Sequence, residues 1–126
     1  MPLPRIKFKI NQVPPSYNRH FKINYPLRHV YITKEAKEFK KQVFLTCPPM
    51  ETSPHSIYRV LISVCNNWLY KNGKIKKQDI HNMDKFLIDA MCSKLGFDDS
   101  QIWAVHMVKV QGVGDEEWTE VTLEEV

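Results

Sequence analysis

Residues 79–96 read Asp79-Ile80-His81-Asn82-Met83-Asp84-Lys85-Phe86-Leu87-Ile88-Asp89-Ala90-Met91-Cys92-Ser93-Lys94-Leu95-Gly96, and the fold turns on how they are divided. Met83, Phe86, Leu87, Ala90, Met91 and Leu95 recur at three- and four-residue steps, the spacing of one helical face. Lys94 and Gly96 suit a helix end, so the spacing predicts a helix from about 82 to 95. On either side the period changes. Residues 57–65 are β-branched and apolar enough for a central strand. Ile102, Ala104, His106, Val108 and Val110 alternate with Trp103, Val105, Met107 and Lys109, a strand apolar on both sides and therefore expected inside a sheet.

Downstream, Gly112-Val113-Gly114-Asp115 makes a turn. Residues 118–124 then alternate Trp118, Glu120, Thr122 and Glu124 with Thr119, Val121 and Leu123, which predicts a last strand with one wet face, its charges deterring edge pairing. Upstream, Thr33 can cap a helix over about 34–46, with Ala36, Phe39, Lys40 and Val43 at helical spacing and Cys47-Pro48-Pro49 as its stop. Residues 47–56 read as a surface loop. Ile6, Phe8 and Ile10 alternate with Arg5, Lys7 and Lys9, so residues 5–11 are a half-buried strand that Pro14-Pro15 terminates. The order is βαβαββ, with no internal repeat. It implies an α+β fold, two helices packed on a small mixed sheet, as one domain over residues 1–126.

No run approaches the ~20 apolar residues of a membrane span, and the start, Met1-Pro2-Leu3-Pro4-Arg5, lacks the apolar stretch of a secretory signal. A cytoplasmic protein without membrane contact is expected. Cys47, Cys65 and Cys92 are an odd number at unrelated spacings, against a disulfide framework or a Cys-based zinc site. The net charge of +4 conceals an asymmetry, because all 18 Lys and Arg lie at or before Lys109 while six of the 14 acids lie between Asp115 and Glu125. A basic body of this kind suits a polyanion, whose counterions are released on binding. Within it, Lys71, Lys74, Lys76 and Lys77 cluster beside Trp68, Tyr70 and the turn signal Asn72-Gly73, either a solvent-facing hairpin tip or a phosphate-contacting arm.

Five acidic residues fall within the 21 positions from Asp79 to Asp99: Asp79, Asp84, Asp89, Asp98 and Asp99, accompanied by His81, Asn82 and Lys85. On a regular helix His81, Lys85 and Asp89 project on one side at four-residue steps while the apolar stripe turns inward. Clustered carboxylates with a lysine fit a magnesium-type site for phosphodiester cleavage, in which a metal activates water and neutralises charge on the phosphate. Each residue also has a plain structural use: Asp79 or Asn82 as a helix cap, Lys85 and Asp89 as an ion pair, Asp98-Asp99-Ser100 as a turn.

Asp79, Asn82, Lys85, Asp89-Ala90-Met91 and the run from Gly96 to Ile102 together resemble the signature of the RusA family of Holliday-junction resolvases. Pro14-Pro15-Ser16-Tyr17-Asn18-Arg19 resembles that family's segment after the first strand, and Thr33 to Val43 its first helix. The resemblance implies a dimeric, Mg²⁺-dependent endonuclease, often phage- or prophage-encoded, that binds four-way junctions in recombination and repair and nicks two opposed strands symmetrically. It implies a homodimer on branched DNA, no small-molecule cofactor, and a bacterial or phage-infected host cell. The family's essential carboxylates fall on Asp79, position 81 and Asp99, and its catalytic lysine on Lys85. Asn82 also matches, and orients a ligand or caps the helix. Asn18, Arg19 and Lys22 are candidates for DNA contacts with Lys74, Lys76, Lys77 and Asn82. Tyr17, Phe21 and Tyr25 are candidates for base stacking, core or dimer interface.

The chain departs from the family at position 81, which is His81 rather than aspartate. An imidazole binds Mn²⁺ and other transition metals but is a poor ligand for Mg²⁺. Three outcomes stay open: His81 is a ligand of a manganese-preferring enzyme, Asp84 or Asp98 replaces the lost carboxylate, or cleavage is lost and the chain is a DNA-binding protein such as a phage regulator. A protein-interaction role for the acidic stretch Asp115–Glu125 is a further alternative.

Overall fold

The computed structural model describes residues 3–16, 21–24 and 29–126, with eight strands and helices in chain order. They are β1 (Arg5–Ile10), β2 (Phe21–Asn24), β3 (His29–Ile32), α1 (Lys34–Thr46), β4 (Tyr58–Asn66), α2 (Lys85–Leu95), β5 (Ile102–Gln111) and β6 (Trp118–Glu125). A single 3₁₀ turn, Asp99–Gln101, joins α2 to β5. Four strands make a mixed sheet in the order β1-β6-β4-β5, and β2 and β3 pair separately as a two-stranded ribbon. The architecture is α+β.

Both β1 and β4 run antiparallel to β6, hence parallel to each other, and β4 runs parallel to β5. Parallel neighbours require crossovers, which α1 and α2 supply. Each helix ends where the next parallel strand begins, so both run antiparallel to the strands and side by side. Registered rows cross the sheet on the helix side: Ile6, Leu123, Val60 and Val105; then Phe8, Val121, Ile62 and Met107. Phe39 and Val43 of α1 and Phe86, Leu87 and Met91 of α2 cover these rows and are fully buried. Each such side chain contributes about 1.5–3 kcal/mol when removed from water. Thr33 caps α1 as expected, its hydroxyl accepting from the Ala36 amide at 3.3 Å.

The other sheet face carries a ladder of charges. Glu124 of β6 pairs with Arg59 of β4 and with Arg5 of β1, Glu120 pairs with Lys7 at 3.2 Å, and Lys9 sits 4.8 Å from the ring centre of Trp118.

Three expectations change. The strand over 102–110, expected inside the sheet, is the edge strand β5, with Trp103, Val105 and Val108 exposed. The last strand, expected at a wet edge, is interior, with Thr119, Val121, Thr122 and Leu123 buried between β1 and β4. Its glutamates are matched by basic residues on flanking strands, which is why a strand that looks half-wet in isolation tolerates two neighbours. The second helix begins at Lys85 rather than 82, because Asn82 takes φ 65°, a left-handed value that no helix interior accepts. The ribbon β2–β3 had no counterpart in the expected order.

Candidate active-site groove

Trp68 fixes the connection that leaves β4. Its buried indole Nε1 donates to Val64 O and Val110 O, at 3.3 and 3.1 Å, tying the chain to the C-terminal ends of β4 and β5. Trp68 is therefore a foundation and not part of a surface arm. Beyond it the chain folds back on itself: Leu69 bridges Ile75, the Tyr70 amide donates to Lys74 O at 2.8 Å, and Gly73 turns at φ 84°. The hairpin tip expected from Asn72-Gly73 is present, with Lys71, Lys74 and Lys77 exposed and Lys76 at 5.8 Å from the Tyr70 ring centre. The return limb is held by Lys109 of β5, whose ammonium donates to Gln78 O and lies 4.6 Å from the Trp68 ring centre.

From Gln78 the chain passes Asp79 and His81, both exposed, while Ile80 packs against the core. A turn then closes with the Met83 amide on Ile80 O at 3.2 Å, and Asn82 supplies its left-handed residue. Asn82 is thus a turn residue rather than a helix cap. Asp84 stands at the cap position of α2, but its side chain makes no capping bond, so its carboxylate is not committed to the helix.

Three clefts follow one another along this segment. Ser16, Lys77, Asp79, His81 and Asn82 line the first, of about 260 Å³. His81, Asn82, Asp84 and Lys85 continue into the second, of about 340 Å³, whose far wall is Val105 and Met107 of β5. Asp84 and Lys85 lead into the third, of about 170 Å³, with Asp89, Asp99, Ile102 and Val105. Shared linings make them one groove, which rounds the start of α2 and follows the seam between α2 and β5. Lys85 stands midway. The groove brings Ser16, from the Pro14-Pro15-Ser16 segment, beside Asp79, His81 and Asn82, although more than sixty positions separate them in sequence.

It does not bring all the expected carboxylates together. Asp79 lies before α2 and Asp99 after it, and eleven helical residues, about 16 Å of rise, stand between. Among the described residues no three His, Cys, Asp or Glu side chains gather closely enough to enclose a metal ion. Asp98 and Asp99 differ in use. The Asp98 carboxylate accepts from the Ser100 amide at 3.0 Å, while its own amide donates to Gln101 Oε1, a reciprocal cap on the 3₁₀ turn. The bond from Ser100 holds the Asp98 carboxyl below its usual range. Asp99 faces the groove.

Cys92 on α2 reports the field at this end. Burial first, and then the negative charges of Asp99, Asp89 and Asp98, push its thiol up to about 12. Asp84 and Asp89, members of the acidic cluster read from the sequence, join Asp99 in the third cleft, a position that depends on where β5 docks. Val105 and Met107 as a groove wall were missed altogether. Asn18 and Arg19, like Tyr17 and Tyr25, lie outside the described residues. Lys22 and Phe21 fall on β2, whose side chains also lie outside them.

The family model described as Endodeoxyribonuclease RusA matches residues 12–124. No curated protein matches the chain. No helix among the described residues is long and apolar enough to cross a membrane.

Proposed function

The chain belongs to the RusA endodeoxyribonuclease family, and from that membership we propose that it is a metal-dependent nuclease that resolves four-way DNA junctions by paired symmetric nicks. The observation that supports this most directly is the groove itself, where Ser16 and the Asp79–Asn82 segment meet beside Lys85. Residues 1–126 would act as one such unit, in recombination or repair in the cytoplasm of a bacterial or phage-infected cell.

The donor set fits a hard divalent cation of the kind held by one or two carboxylates, with water and substrate oxygens completing its shell. Asp99, with Asp84 and Asp89 beside it, offers such oxygens at one end of the groove, and Asp79 with His81 at the other. Asp98 would serve through its turn, which sets the direction of Asp99. A bound Mg²⁺ or Mn²⁺ would activate water and offset charge on the scissile phosphate. The mixed oxygen and nitrogen set at Asp79 and His81 suits Mn²⁺ better than Mg²⁺. Lys85, which lines the clefts between the two ends, would steady the phosphate or the leaving oxygen. Lys74, Lys76 and Lys77 on the hairpin arm, with Asn18, Arg19 and Lys22, would hold the flanking backbone.

Two symmetric cuts need two grooves at one junction, and a homodimer supplies them. The open edge of β5, with Trp103 exposed, is the surface we assign to it. Antiparallel pairing of two β5 edges about a two-fold axis would put both helix layers, and both grooves, on one face of a continuous sheet.

The test is cleavage of a labelled four-way junction in Mg²⁺ and separately in Mn²⁺. Symmetric nicks are expected, stronger in Mn²⁺, and lost in Asp79→Asn and Asp99→Asn. His81→Asp is expected to raise activity in Mg²⁺. Tight junction binding with no cleavage in either metal would overturn the nuclease reading in favour of a DNA-binding protein on the same scaffold.

A further inference from the structure

Helix α1 carries Lys34, Lys37, Lys40 and Lys41 within eight residues. At 100° per residue Lys34, Lys37 and Lys41 share one flank, with Lys40 toward the sheet, Glu38 bordering the flank beside Lys34, Glu35 further round, and Ala36, Phe39 and Val43 buried beneath. Lys34, Lys37 and Lys41 are exposed and Lys40 is half-buried. None of the four forms a described ion pair; the described pairs all lie on the charged sheet face, where Arg5, Lys7 and Arg59 meet Glu120 and Glu124.

Helix stability does not account for this stripe. Lys34 and Lys37 stand at the positive end of the helix macrodipole, and the last turn, where cations are favoured, has none. Lys34 and Lys37, Lys37 and Lys40, and Lys37 and Lys41 are like charges at three- and four-residue steps, which repel, and Glu38, four residues from Lys34 and three from Lys41, offsets them only in part. An arrangement unfavourable to the isolated helix becomes favourable when an anion lies along it.

The position of α1 identifies the anion. The helix packs beside α2 in parallel orientation on the same sheet face, and Lys94 of α2 sits 4.7 Å from the Phe44 ring centre where the two helices end. The lysines are therefore on the N-terminal half of α1, beside the N-terminal end of α2 that carries Lys85, with the two helix axes about 8–10 Å apart. Lys34 to Lys41 span about 10 Å, which is roughly three steps of a duplex strand at 3.4 Å each.

We propose that the Lys34–Lys37–Lys41 flank of α1 is a second DNA-contacting surface, which grips the phosphate backbone of one junction arm away from the crossover. It rests on the junction-binding reading above, and differs from it in placing contacts on a helix outside the groove and the hairpin arm.

The experiment is junction binding measured by anisotropy between about 50 and 200 mM salt, for wild type, for Lys34→Gln/Lys37→Gln/Lys41→Gln, and for Arg5→Gln/Lys7→Gln/Lys9→Gln. The two triple variants lose the same net charge. Each lost phosphate contact lowers the slope of log K against log salt by about 0.9. The α1 variant is expected to lose about two to three units of slope on long-armed junctions and little on junctions with arms trimmed to a few base pairs. The sheet-face variant is expected to stay within one unit of wild type, and Lys→Arg at the three α1 positions to keep the wild-type slope. Equal slopes for the two Gln variants, or an α1 loss independent of arm length, would overturn the proposal while leaving junction binding intact. Absence of junction binding by the wild type would overturn both.

Discussion

Asn82 shows how one backbone angle organises the groove. Its φ of 65° lets the chain reverse between Ile80 and Met83, so that Asp79 and His81 reach solvent while Ile80 stays against the core. Asparagine tolerates this region where most L-residues lose roughly 1–2 kcal/mol. Asn82→Gly should leave urea stability within about 0.5 kcal/mol of wild type, whereas Asn82→Val should cost about 1–2 kcal/mol. Cleavage by a stable Asn82→Gly protein then separates the turn from any direct role of the amide: retained nicking assigns Asn82 to the turn alone. The cysteines give a second residue-scale test. Burial pushes the Cys47 thiol up to about 11, against the pull of Lys94, and Cys92 reaches about 12. At pH 8 both stay protonated in the folded protein, and iodoacetamide should label them only after denaturation. The sign of the linkage follows: between the ordinary thiol value of 9.0 and these raised values the unfolded chain releases protons that the folded chain keeps. Stability should accordingly fall as pH rises through that window, and a Cys47→Ala/Cys92→Ala variant, which keeps only Cys65, should lose this part of the alkaline decline in a urea series.

At the scale of elements, α1, β1 and β4 were legible because each carries a clean local period and a local stop. The Thr33 cap, Phe39 and Val43 on one helical stripe, and the alternation of Tyr58, Val60, Ile62 and Val64 needed no knowledge of the rest. The identity of the edge strand was not legible. Val105 and Val108 are apolar on opposite faces of β5, which from sequence resembles a buried strand, and only the pairing order shows that one side of its backbone is open. The same limit applies to the candidate site. Asp79, His81, Asn82 and Lys85 stand together in sequence and line adjoining clefts, but the separation of Asp79 from Asp99 follows from α2 standing between them, and the approach of Ser16 from the loop after β1. An open ten-residue edge with an exposed tryptophan attracts other strands unless charge protects it. Trp103→Lys should therefore shift sedimentation from dimer to monomer and abolish paired nicking, while the urea midpoint of the monomeric fold barely moves. A monomeric wild type, or a dimer indifferent to Trp103→Lys, would exclude β5 as the contact.

The whole molecule is closed by its last strand. β6 pairs with β1 over Arg5–Ile10 and with β4 over Tyr58–Cys65, so the residues latest in the chain sit at the middle of the sheet. This gives the acidic C-terminal stretch a structural use: Glu120 and Glu124 neutralise Lys7, Arg5 and Arg59 across the charged sheet face, whereas the lysines of the hairpin arm and of α1 form no described ion pair. Thr119 adds a polar tie, its hydroxyl donating to Gln12 O at 2.7 Å. Leu123→Ala, which empties a fully buried position between Ile6 and Val60, should cost about 2–5 kcal/mol. Deleting residues 118–126 removes Val121 and Leu123 together and strips both β1 and β4 of a partner, a loss comparable with the ~5–15 kcal/mol that holds a domain folded. The truncated chain should show no cooperative thermal transition by circular dichroism and no junction binding. A dispensable acidic tail predicts the opposite, a truncated protein that still melts cooperatively and, having lost negative charge, binds the junction more tightly; that outcome would mean the sheet does not depend on its central strand.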